Sequence, residues 1–164
     1  MVITSVAVIE RIGTYELGNI LAGRVEGDIN TLILVALANS EDTSSFTAED
    51  VAVAQAALDR VALAIDAATR LINGYVAKRY PNGLSQSQID NSPLPDIALV
   101  LVKYELMVTT DEDTRNNHKA AMAQLRDISN GALSLGTEDP AKPSDTRIEV
   151  GSGNSRFDWD GYGL

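Results

Sequence analysis

Residues 47–80, TAEDVAVAQAALDRVALAIDAATRLINGYVAKRY, constrain the fold of this chain more than any other stretch. Val51, Ala54, Leu58, Val61, Ile65, Ala68, Ile72 and Tyr75 recur at alternating spacings of three and four, which puts them on one face of a helix and fits no strand. Thr47 stands at the N-cap position, where its hydroxyl can accept an orphan backbone N–H. Asp50 follows three residues later, at the positive end of the helix dipole. Tyr80, Pro81, Asn82 and Gly83 predict the stop, since a proline disfavours helix in the residue before it. Such a spine would be roughly 50 Å long, more than a compact domain of this size needs internally.

The rest of the chain predicts shorter helices packed on that spine. Ser5 is the expected cap of a first piece, and Gly13 separates it from a second whose apolar face holds Tyr15, Leu17 and Leu21. Neither piece is long enough to be stable alone. Gly27 and Asp28 mark a turn, residues 32–38 (LILVALA) favour a short helix over a buried strand, and NSEDTSS is a polar loop. Beyond the spine, NGLSQSQIDNSPLPD is expected to be a loop. Pro95 suits the first turn of a helix over about 96–108 that is apolar all round and therefore central and buried. A third helix begins near Thr110, with Asp111, Glu112 and Asp113 at its positive end and His118, Ala121, Leu125 and Ile128 in a stripe. Gly131 ends it, and residues 132–136 read as a short extended piece.

From residue 137 onward the composition changes to proline, glycine and small polar residues with no helical period. The expected organisation is thus a helical bundle over 1–136 and an extended tail over 137–164. The fold class is all-α, a small bundle around one long helix. The tail nevertheless contains Phe157, Trp159 and Tyr162 within six residues. Two explanations stay open: the aromatics fold back onto the bundle, or they dock on a partner, where aromatics carry much of the free energy of an interface.

Composition narrows the function. The net charge of −10 argues against gripping nucleic acid through its phosphates, which takes clustered Lys and Arg. The absence of cysteine excludes disulfides and thiolate metal sites. The start MVITSVAVIERIG lacks the basic and long apolar regions of a secretory signal, and LILVALA is far shorter than the ~20 residues of a membrane-spanning helix. We therefore expect a protein without membrane contact, in a reducing cytoplasm.

Chemical motifs are scarce. His118 is the sole histidine and lies on an apolar stripe without a partner, the setting of a core or rim histidine rather than a base or ligand. Asp158, Asp160 and Gly161 open like a calcium loop, but no twelfth-position acid follows. The acids at 111–113 are ordinary partners of a helix dipole. GSGNS at 151–155 lacks the setting of a dinucleotide loop, and there is no Walker lysine or nucleophile elbow. No enzyme, metal or cofactor is expected. On the spine, Asp66 and Arg70 are placed for an i,i+4 pair. Asp59, Asp66 and Asn73 fall seven apart and share a polar flank, solvated by default and a subunit or channel face by hypothesis.

Four stretches together carry a family likeness: INGYVAKRYP at 72–81, SPLPDIALVLVKYELM at 92–107, LRDISNGALSLG at 125–136 and SRFDWDGY at 155–162. In this order they resemble the head-to-tail connector proteins of tailed bacteriophages, in the Mu-type subgroup. The likeness is loose over 3–17 and good over 62–136, and the stretch 24–46 is longer and more apolar than the family pattern. The resemblance implies a virion structural protein, assembled in the host cytoplasm. It would form a self-associated ring, commonly of twelve subunits, between the portal protein and a neck or tail-completion protein, with DNA passing through without sequence-specific binding. It also implies a tail that reaches the portal, for which Arg156, Phe157, Trp159 and Tyr162 are the candidates. A neck stopper or tail-terminator protein, usually β-rich, and a cellular helical interaction or regulatory module are the alternatives.

Overall fold

The computed structural model describes residues 2–135. They form helices α1 (Ser5–Ile12), α2 (Thr14–Ala22), α3 (Thr31–Ala38), α4 (Ala48–Val76), α5 (Gln86–Asp90), α6 (Leu94–Leu106) and α7 (Glu112–Asn130). No strand occurs among the described residues, and the fold is all-α as expected.

Helix α4 is the spine, about 44 Å long at 1.5 Å per residue. Thr47 caps it: the Asp50 N–H donates to the Thr47 hydroxyl oxygen at 3.2 Å, and that hydroxyl donates to the Asp50 carboxylate at 2.7 Å. The helix ends at Val76, earlier than Pro81 requires. The N–H groups of Arg79 and Tyr80 both turn back to the Val76 carbonyl, so the chain leaves through a tightened turn. The buried face also differs slightly from the expected stripe. Ala54, Val61, Ile65, Ala68 and Ile72 are buried, but Ala57, Ala64 and Val76 complete the set, while Val51, Leu58 and Tyr75 are half-buried. Three helices claim this face, since α6, α3 and α7 all pack along it, so the contact is wider than a single three-four row.

At the N-terminus Thr4, not Ser5, is the cap: its backbone is extended and its hydroxyl accepts the Ala7 N–H at 3.2 Å, which leaves Ser5 as the first helical residue. Gly13, at φ 91°, closes α1 and opens α2 as expected. Leu17 and Leu21 are fully buried, whereas Tyr15 is 80% exposed. Two residues advance a helix by about 200°, so Tyr15 cannot share a face with Leu17. Residues 32–38 are helical, within α3, and Asn30 caps that helix by accepting the Leu32 N–H at 3.0 Å.

The stretch expected to be a loop contains α5. Ser85 and Gln88 form a reciprocal capping box, each side chain bonding the other's backbone N–H. Helix α6 starts at Leu94 with Pro95 in its first turn. It packs on α4, α7 and α5, yet Leu99 and Val100 are half-buried, so it is central without being enclosed on every side. Arg24, from the turn after α2, clasps its far end. The guanidinium donates to the carbonyls of Glu105 at 3.2 Å, Leu106 at 3.2 Å and Met107 at 2.8 Å, the oxygens that a helix end leaves without partners.

Helix α7 is capped by Asp111, which accepts the Thr114 N–H at 2.7 Å, and buries Ala121, Leu125 and Ile128 as expected. Gly131 closes it in the left-handed region at φ 77°, where a Cβ would also collide with the Arg79 guanidinium. Lys78 donates to the Asn130 side-chain oxygen at 3.2 Å and the Arg79 guanidinium lies close to Gly131, so both basic residues beyond the spine sit at the negative end of α7. Residues 132–135 are not helical, and Leu135 is buried with its N–H 3.3 Å from the Tyr80 hydroxyl.

Candidate interaction surfaces

Two surfaces stand out among the described residues, and both belong to the spine. The first is the face of α4 turned away from the core. Asp59, Asp66 and Asn73 are all exposed on it, as their spacing predicts, and Gln55 donates to Asp59 at 2.8 Å. Asp66 and Arg70 form no ion pair; elsewhere among the described residues Arg11 pairs with Asp96 and Lys103 with Glu16, both between helices distant in sequence. Beside the acidic row lies a large aliphatic side chain in solvent, Leu63 at 59% exposure, and Leu71, 38% exposed, lies farther round the helix. On the far edge Leu63 borders a shallow pocket of about 180 Å³, lined also by Arg24, Arg60 and Glu105. An exposed leucine alone means little, but Leu63 stands between the carboxylates of Asp59 and Asp66 and a pocket that carries both guanidinium groups and the Glu105 carboxylate.

The second surface is a groove of about 350 Å³ at the C-terminal end of the spine. Ile72, Val76, Ala77 and Tyr80 form one wall, and Val2, Leu84, Ile89 and Leu94 the others. None of the lining side chains is charged. Asn73, on the same flank as Asp59 and Asp66, also lines this groove. The geometry explains the split: seven residues fall about 20° short of two full turns, so the row drifts and its last member swings toward α5 and α6. Leu84 and Ile89 carry the groove and were missed in the sequence because they are single apolar residues in a polar stretch. The signal that could have found them is the Ser85–Gln88 capping-box pattern between them.

The remaining candidates do not form a reaction centre. The His118 ring stacks on Tyr104, with centroids 4.0 Å apart and planes 22° from parallel, at the rim of the α6–α7 contact. Asp111 is held below the usual carboxylate range by Thr114, through its hydroxyl first and its backbone N–H second. Asp42 is likewise lowered by Ser44, through its backbone N–H first and its hydroxyl second. Each is a local turn or cap effect. Among the described residues no three His, Cys, Asp or Glu side chains converge to hold a metal ion, and no helix is long and apolar enough to cross a membrane. Arg156, Phe157, Trp159 and Tyr162 lie outside the described residues, as does the tail from 137 onward.

A family model described as "Bacteriophage Mu, Gp36" matches residues 4–151, including the apolar stretch 24–46. No curated protein and no solved structure matches the chain.

Proposed function

The chain belongs to the bacteriophage Mu Gp36 family, and from that membership we propose that it is a non-catalytic virion protein, a head-to-tail connector. Its copies form a ring between the portal and the next neck or tail protein, and DNA passes through. The observation that carries the proposal beyond a phage protein in general is the outward face of α4, where the exposed Leu63 has Asp59 and Asp66 on one side and a pocket lined by Arg24, Arg60 and Glu105 on the other. A ring needs a heterologous contact, in which one patch meets a different patch on the neighbour. An exposed leucine with carboxylates and guanidinium groups on the same face suits such a contact, because each copy then offers both signs. The helical build fits a connector better than a β-rich neck stopper, and the family match favours a phage protein over a cellular module. The tail, with Arg156, Phe157, Trp159 and Tyr162, supplies the contact to the portal.

Mass photometry and negative-stain imaging of the chain with portal test this. Rings on the portal are expected. Asp66→Lys should weaken them, and adding Arg60→Glu should restore them if the two edges meet. A chain that stays monomeric across the concentration range with portal present would overturn the proposal.

A further inference from the structure

The groove at the end of the spine has an occupant within this chain. We propose that it is the intramolecular docking site of the C-terminal aromatic segment, with Phe157 and Trp159 seated against Val76, Ala77 and Leu84. The inference goes beyond the connector proposal and concerns the chain away from portal: the segment occupies its own groove there, and contact with portal would require it to leave.

Three observations support it. The first is chemistry: the groove is lined without a single charged side chain, in a chain whose net charge is −10. A surface of that kind takes apolar or aromatic groups and repays no ion for losing its water. The chain's only Trp and one of its two Phe lie two residues apart at 157 and 159. The second is position. The described chain ends at Leu135, whose N–H is 3.3 Å from the hydroxyl of Tyr80, and Tyr80 is itself a wall of the groove. The exit of the tail is therefore next to the site. The third is length. Residues 136–156, 21 residues in all, separate that exit from Phe157. Twenty-one residues can span at most roughly 70 Å, ample reach from the exit back to the groove. The effective concentration of the segment at its own groove is then on the order of millimolar, so at micromolar protein its own copy outcompetes a second one.

Trp159 is the sole tryptophan, so it reports its own location. The full chain is compared with a free peptide of residues 150–164 by emission wavelength and acrylamide quenching. With the segment docked, emission lies to the blue of the peptide's. The quenching constant is about threefold or more below it, the drop that two-thirds occupancy gives. Ala77→Glu, at an exposed wall position, and Leu84→Glu, in the loop, should each return both values to those of the peptide. Circular dichroism of each variant checks that the helices are retained. A wild-type Trp159 as accessible as the peptide's would overturn the proposal. So would protection that survives both groove variants, or protection lost on dilution, which would assign the groove to a neighbour's tail. Because the isolated chain is used, none of these results depends on whether rings form on portal.

Discussion

Arg24 fixes the junction between the N-terminal helices and the core pair α4 and α6, and replacing it has a calculable effect. Its guanidinium gives one good hydrogen bond, 2.8 Å to the Met107 carbonyl, and two longer ones, 3.2 Å each to Glu105 and Leu106. A fully buried charged hydrogen bond contributes about 1.5–3 kcal/mol, but this side chain is exposed and only one of its contacts is partly buried, so a third to a half of one such value per good contact is realistic. A cation at a helix C-terminus adds about 0.3–1 kcal/mol. Arg24→Met, which keeps the apolar stem, should therefore cost about 1–2 kcal/mol. With a urea slope of roughly 1.5–2 kcal/mol per molar, the midpoint should fall by about 0.5–1 M. Arg24→Lys keeps the charge but cannot present two nitrogens to three carbonyls, and should lose about half as much. Equilibrium urea unfolding followed by circular dichroism measures both. A Met variant within about 0.3 kcal/mol of the parent would show that water replaces the clasp at no cost. A Lys variant as unstable as the Met variant would show that geometry alone matters.

Leu125 is fully buried between α7 and the core, so Leu125→Ala should destabilise the chain by about 2–5 kcal/mol in the same assay. Asp111 has a depressed pKa, so the stability it contributes is present above the ordinary carboxylate value of about 4 and is lost as pH falls through the lower folded value. Asp111→Asn keeps a good N-cap and should leave stability at pH 7 nearly unchanged while flattening its acid limb, measured as urea midpoints from pH 7 to pH 2.

Long-range order was legible in the sequence wherever a pattern was both long and locally capped. The spine, its Thr47 cap, the Gly13 break and the Gly131 stop are each written in residues that touch one another along the chain. What sequence did not show depended on contacts between distant segments. Helix α5 is five residues long and cannot be stable alone; it persists because Ile89 and its neighbours pack on α6. The Arg24 clasp joins residues more than 80 positions apart, and nothing in the sequence near Arg24 marks it as a cap for α6. The Tyr104–His118 stack joins two helices in the same way, which is why His118 could be assigned to an apolar stripe but not given a partner. On the outward face of α4 the pattern placed Asp59, Asp66 and Asn73 in solvent, as the structure has them, but did not show that Asn73 also borders the groove.

The double position of Asn73 relates the two surfaces. Asp59 to Asn73 covers 14 steps, about 21 Å along the axis, and the row turns by only about 40° over that distance. It is therefore a nearly straight strip that begins on the exposed ridge beside Leu63 and ends in the wall of the apolar groove. A neighbouring subunit that covers Asp59 and Asp66 comes within one or two helical turns of Asn73, and so of whatever occupies the groove. Under the two proposals made above, ring contact and tail docking would then be read by adjacent turns of one rigid helix. No conformational change need pass through the core for one to influence the other, because α4 is pinned along its opposite face by α3, α6 and α7. The coupling would be steric and electrostatic at the surface. It would be strongest at Asn73, the residue where the acidic row and the groove meet.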